Sequence, residues 1–194
     1  MKKIMPVIFL VILLPAGIVA MGNPPAGREQ FLSPADARKS AVDGYNRRSW
    51  AFPSEYARSM KGARAGAPLL VERLDRKNSF YFIVPFERAG KATLLVMIDA
   101  KTGEFKEAVP LAQPSAYPPV SANEAKKSLA DSSGSVMPEG ELARLKPSLV
   151  WKPSEQSQSP FEPLWRFRTG HGDRYVDQKG KVHPSIEEPH LKGG

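Results

Sequence analysis

An internal repeat constrains the fold of this chain more than any other feature of its sequence. Residues 33–43 match residues 121–131 in chemistry at nearly every position. Each segment begins with a serine that can cap the free amides of a helix, and an acidic residue three positions later can return the hydrogen bond. Both segments therefore predict helix starts, with Ser33 and Ser121 as the caps.

A second agreement lies downstream of each predicted helix, where an apolar strand meets an aspartate and a glycine follows. These residues are Asp99 and Gly103 in the first copy and Asp177 and Gly180 in the second. Glycine supplies a positive φ before the chain enters the next strand, and the aspartate can brace the turn backbone. We interpret all four as structural turn residues rather than as catalytic or metal-binding groups.

Segments rich in β-branched and aromatic residues fill the space between the caps and the turns. They predict strands at 68–74, 79–86, 92–99 and 104–109 in the first copy, and at 148–152, 162–169, 174–177 and 181–183 in the second. Short helices are also predicted at 54–61 and 138–146. Because a sheet needs its apolar face covered, we expect an α+β fold of two tandem units, each a helix packed on a small antiparallel β-sheet.

The two copies resemble PepSY domains, small α+β modules found in propeptides of thermolysin-type metallopeptidases and in many exported proteins. The resemblance rests on the Ser-x-x-Asp-Ala and Ser-x-x-Glu-Ala helix starts, the aromatic strand at 80–84, and Asp-Ala-Lys-Thr-Gly at 99–103. The second copy departs from the pattern, since Gln178 replaces the alanine and its turn is one residue shorter. The resemblance implies binding, sometimes inhibition of a peptidase, with no catalytic residues.

The repeat and the Pro-rich segment between its copies set the predicted domain boundaries. The first PepSY-like unit is placed at 33–109 and the second, divergent unit at 121–186, with a Pro-rich linker at 110–120 between them and a tail at 187–194. Pro118 and Pro119 are expected to stiffen the linker locally.

The N-terminus has the layout of a secretory signal. Lys2 and Lys3 precede an apolar run, and small residues offer a cleavage site after Ala20 or Gly22. As a helix, residues 4–19 would span about 24 Å, less than a hydrocarbon core about 30 Å thick, which favours cleavage over an uncleaved anchor. We predict a signal peptide or N-terminal anchor at 1–20, a flexible segment at 21–32 and a periplasmic or extracellular body.

Composition and motifs argue against an enzyme. The chain has no cysteine, which excludes disulfides, thiolate metal sites and lipid attachment through an N-terminal cysteine. The sequence contains no Gly-x-Ser-x-Gly elbow, His-Glu-x-x-His motif or Walker loop. His171, His183 and His190 lie near acidic residues but lack the fixed spacing of a metal site. We therefore predict no enzymatic activity, no cofactor and no metal, and copper or zinc binding by these histidines is the alternative.

One segment interleaves aromatic and cationic side chains and offers a surface for an anionic ligand. The candidate patch consists of Arg47, Arg48, Trp50, Arg58, Lys61 and Arg64. Guanidinium groups can pair with phosphate or carboxylate while the rings lie against sugar or acyl surface. In the alternative interpretation, Tyr45, Trp50 and Phe52 pack beneath the sheet and the arginines are only solvated.

Two functions remain open from the sequence. The favoured prediction is an exported, non-enzymatic binding protein that takes an extended partner segment at a sheet edge or groove, for example as an inhibitor or modulator of an envelope peptidase. The alternative is a basic envelope-surface protein that binds anionic lipid or cell-wall polymer, in keeping with a net charge of +8 for the full sequence and +6 without residues 1–20. The exported location argues against nucleic acid as a partner. Salt should weaken surface binding but spare strand addition.

Overall fold

The computed structural model describes residues 30–133 and 139–189. The predicted signal peptide, most of the segment at 21–32, and His190 with the end of the tail lie outside the described residues. Within these ranges, no helix combines the length and the apolar character needed to cross a bilayer.

The elements follow one another along the chain as helix, strands, helix, strands. In order, they are α1 (Pro34–Arg48), a 3-10 turn (Ser49–Ala51), α2 (Ser54–Met60), β1 (Arg64–Ala65), β2 (Leu69–Arg73), β3 (Ser79–Arg88), β4 (Lys91–Asp99), β5 (Phe105–Ser115), α3 (Ala122–Ser133), α4 (Glu139–Arg144), β6 (Ser148–Trp151), β7 (Leu164–Thr169), β8 (Gly172–Val176) and β9 (Val182–His183).

All of these strands belong to one mixed sheet. Eight of them run in the order β5-β4-β3-β2-β6-β7-β8-β9, and β1 pairs with the part of β3 that lies beyond the first residue of β2. The strands from β2 to β5 and from β6 to β9 form two antiparallel meanders. The meanders join through a parallel pairing of β2 with β6, in which Val71 faces Leu149 and Arg73 faces Trp151.

The fold class predicted from the sequence is wrong in its central feature. We expected two tandem units, each a helix on its own small sheet, whereas the structure has one large sheet shared by both halves of the chain. The broad α+β class fits. A separate meander would leave the polar backbone groups of β2 or β6 unpaired at an edge, and pairing the two strands satisfies both sets. Val71 and Leu149 are buried at this junction.

Helices cover both faces of the sheet. Alternate residues of a strand point to opposite sides. Phe82 and Val84 of β3 accordingly pack with Ala41 of α1, whereas the intervening Ile83 packs in a second core with Leu129 of α3. The two cores therefore lie on opposite faces of one sheet.

Two capping serines begin the longer helices. The Ser33 hydroxyl accepts a hydrogen bond from the Asp36 amide at 3.1 Å and donates to the Asp36 carboxylate at 2.6 Å. Ser121 Oγ accepts from the Glu124 amide at 3.3 Å, and the Ser121 amide donates to Glu124 Oε2 at 2.8 Å. The second pair forms the reciprocal capping box, which lowers the pKa of Glu124.

The strand β5 reaches further than the sequence indicated. It continues to Ser115, which pairs with Ala92 of β4. The first half of the segment that we interpreted as a linker at 110–120 is therefore an edge strand of the sheet.

Candidate functional site

Every residue of the patch predicted to bind an anionic ligand is exposed in the structure. Arg47 and Arg48 end α1, Trp50 lies in the 3-10 turn, Arg58 is in α2, Lys61 follows α2, and Arg64 is in β1. The chain thus places these side chains along the α1–α2 connection and the strand that follows it.

An aromatic cluster lies beneath the connection between α1 and α2. The Phe52 ring stacks on Tyr45 at 5.3 Å and on Tyr56 at 4.7 Å between centroids, and it lies 6.1 Å from the Phe105 ring. Trp50 takes no part in this cluster and is 87% exposed. Tyr45 and Phe52 therefore pack toward the sheet, as the alternative interpretation had it, but Trp50 does not.

The cationic side chains of the patch differ in the groups that lie next to them. Within the described ranges, Arg47 and Arg48 form no ion pair, although the Arg48 guanidinium lies 5.1 Å from the centre of the Phe105 ring. Arg58 shares a cleft of about 500 Å³ with Glu55. Arg64 is the register partner of Glu87. Two arginines that form no ion pair with the described residues thus lie just before Trp50 in the chain.

The first predicted turn is held by the side chain of Asp99. Its Oδ1 accepts hydrogen bonds from the amides of Lys101 and Thr102, each at 2.9 Å. Gly103 has a φ of +72°. Burial on its own would raise the pKa of Asp99, but the hydrogen bonds from Thr102 and Lys101 outweigh it and the pKa is lowered.

The second predicted turn engages both oxygens of Asp177. Its Oδ1 accepts from the amides of Lys179 and Lys181, each at 2.9 Å, and its Oδ2 lies 2.9 Å from His183 Nε2. Gly180 has a φ of +82°. Burial opposes ionisation of Asp177, but these hydrogen bonds prevail and lower its pKa.

The Asp177–His183 pair borders a cleft of about 700 Å³. Glu162 and Glu187 also line the cleft. Among the residues that the structure describes, no three histidine, aspartate or glutamate side chains come close enough together to hold a metal ion. The pair braces its turn instead.

A basic cleft that the sequence analysis did not single out lies where β6 begins and β7 ends. We call it the Arg166 cleft; it is lined by Arg144, Leu145, Lys146, Ser148, Arg166 and Arg168 and has a volume of about 390 Å³. The strand register sets Arg166 opposite Ser148 on β6. Arginines at alternate positions of a predicted strand were the available signal, but only the pairing of β6 with β7 brings them beside Arg144 and Lys146.

Comparisons of the chain with protein-family models, with curated proteins and with solved structures returned no match.

Proposed function

We propose that this chain is a non-enzymatic binding protein of the cell envelope that attaches to anionic lipid through the Trp50 surface, defined as Arg47, Arg48 and Trp50. The observation that carries the proposal is the 87% exposure of Trp50 beside two arginines that form no ion pair within the described ranges. A single exposed apolar residue is ordinary on a protein surface. Its combination with adjacent unpaired cations favours a charged, partly apolar partner.

A bilayer interface satisfies both parts of this surface. An indole ring prefers the boundary between headgroups and acyl chains, where its apolar body and its N–H group both find partners. Each arginine near an anionic leaflet contributes about 1 kcal/mol of attraction. The net charge, +8 for the full sequence and +6 once the predicted signal peptide with Lys2 and Lys3 is removed, adds a long-range attraction to anionic lipid.

The edges of the sheet support strand addition less well. β5 is one outer strand, and it carries Pro110 and Pro114, which have no amide hydrogen to donate to an added strand. The other outer strand, β9, spans only Val182–His183. Peptidase modulation therefore continues to rest on the resemblance to PepSY domains, and the geometry favours attachment to a surface.

The non-enzymatic part of the proposal is supported by the arrangement around His183. Among the described residues, His183 pairs with one carboxylate, that of Asp177. The other oxygen of Asp177 accepts hydrogen bonds from two backbone amides. With these hydrogen bonds, the Asp177 carboxylate and His183 stabilise the turn between β8 and β9.

Vesicle co-sedimentation tests the proposal on protein purified after expression of the full chain. Wild type should bind phosphatidylglycerol vesicles more strongly than phosphatidylcholine vesicles, and the binding should weaken as salt rises to physiological levels. Trp50→Ala and Arg47→Glu should each weaken binding about fivefold or more. Arg38→Glu, at an exposed arginine of α1 outside the Trp50 surface that forms no ion pair with the described residues, makes the same charge change and is the matched control.

Two results would overturn the proposal. One is equal binding of wild type and Trp50→Ala to the anionic vesicles. The other is binding to isolated cell-wall polymer with none to vesicles, which would identify the other partner class predicted from the sequence.

A further inference from the structure

The Arg166 cleft concentrates positive charge. Three arginines and a lysine line it, and none of the lining residues that the structure describes is acidic. Arg144, Lys146 and Arg168 form no ion pair with any residue that the structure describes. Like charges held in one cleft repel each other, so an anion that enters relieves the repulsion.

Arg166 adds a buried cation whose hydrogen bonds are incomplete. The residue is only 7% exposed. Its Nη2 donates to Glu72 Oε2 at 2.5 Å, whereas its Nε is buried and has no acceptor among the described residues. Leaving a buried guanidinium donor without an acceptor costs free energy. Glu72 therefore satisfies only part of this guanidinium.

The remaining lining fits a small ligand with an anionic head. The volume of about 390 Å³ exceeds what a bare oxyanion fills and lies in the range of small-molecule sites. Ser148 contributes a hydroxyl group and Leu145 an apolar surface. Arginine matches the geometry of phosphate oxygens, and lysine adds a point charge.

We propose that the Arg166 cleft binds the phosphate group of a small phosphorylated ligand. The cleft shares no residue with the Trp50 surface, so this site does not depend on the function proposed above. A free phosphorylated molecule and the headgroup of a phospholipid offer the same chemistry, and the experiments below distinguish them.

Calorimetric titration of the protein with glycerol phosphate, at ionic strength held constant with sodium chloride, tests the site. The double variant Arg144→Ala/Arg168→Ala should weaken binding about tenfold or more, because it removes two charge-assisted contacts. The control variant Arg38→Ala/Arg76→Ala also removes two positive charges, but from exposed positions outside the cleft, and should bind as wild type does. Absence of binding by wild type, or equal binding by wild type and the cleft variant, would overturn the proposal.

Glu72→Gln distinguishes a ligand site from a merely structural arginine. This change removes the carboxylate that competes for Arg166 and leaves the cleft cations in place, so it should tighten glycerol phosphate binding about threefold or more. Added ligand should then raise the midpoint of thermal unfolding more in the variant than in wild type. Lower stability with unchanged or weaker affinity would contradict the assignment of Arg166 to a ligand site.

Vesicle binding by the same variants identifies the source of the phosphate. If the ligand is a free molecule, Arg144→Ala/Arg168→Ala should bind phosphatidylglycerol vesicles as wild type does while losing glycerol phosphate. If it is a lipid headgroup, both should weaken together. Trp50→Ala should leave glycerol phosphate binding unchanged in either case, which keeps this test separate from that of the Trp50 surface.

Discussion

Two aspartates at matching places in the sequence show how much one side chain determines locally. Asp99 and Asp177 each accept two backbone amides in a tight turn. The sequence indicated both turns because an aspartate followed by a glycine at this spacing is a local signal. It did not indicate the contact of Asp177 with His183, because that contact depends on the short strand β9 returning beside β8.

At this residue scale, Asp177→Asn should lower the free energy of unfolding by about 1 to 3 kcal/mol at neutral pH. The folded-state pKa of Asp177 lies below the ordinary value of 3.8. Its carboxylate therefore stabilises the fold fully above about pH 4, and that contribution is lost as pH falls through the lowered value. Urea unfolding of wild type and variant at pH 7 and pH 3 checks this. A stability difference that stays the same at both pH values would contradict it.

At the scale of elements, the boundaries of most helices and strands were predictable because their signals are local. β3 begins at Ser79 and α2 at Ser54, as the strand-forming and helix-forming segments indicated. The extension of β5 to Ser115 was missed, since a segment with two prolines reads as a linker until β4 is seen beside it. Tertiary pairing overrode local propensity there.

The close approach of α1 to β5 gives a prediction for two glycines that both lie in helices. A Cβ at Gly44 would sit 2.7 Å from Phe105 Cβ, whereas a Cβ at Gly140 in α4 would meet no atom of the described residues within 4 Å. Gly44→Ala should destabilise the fold by about 1 to 3 kcal/mol through overpacking, despite the higher helix propensity of alanine. Gly140→Ala is the matched control and should stabilise by a few tenths of a kcal/mol up to about 1 kcal/mol. Chemical denaturation measures both changes, and a stabilising Gly44→Ala would show that α1 does not pack this closely.

At the scale of the whole molecule, residues far apart in sequence combine into one sheet and into one site. Glu72 on β2 and Arg166 on β7 are 94 positions apart, yet they form an ion pair across β6. The repeated caps and turns suggested separate units because each copy has its own helix and meander. Nothing in either segment alone reveals that β2 and β6 pair with each other, so both the shared sheet and the Arg166 cleft required the structure.

The shared sheet is the claim on which the rest depends, and residue-resolved hydrogen exchange under increasing denaturant tests it most directly. Leu149 on β6 is 3% exposed and packs in the core with Ile83 of β3 and Phe167 of β7. Leu149→Ala should lower the free energy of exchange of the slowest amides by about 2 to 5 kcal/mol, and the loss should be the same in β3, β4, β7 and β8. A loss confined to β7 and β8, with β3 and β4 as protected as in wild type, would contradict a single cooperative sheet.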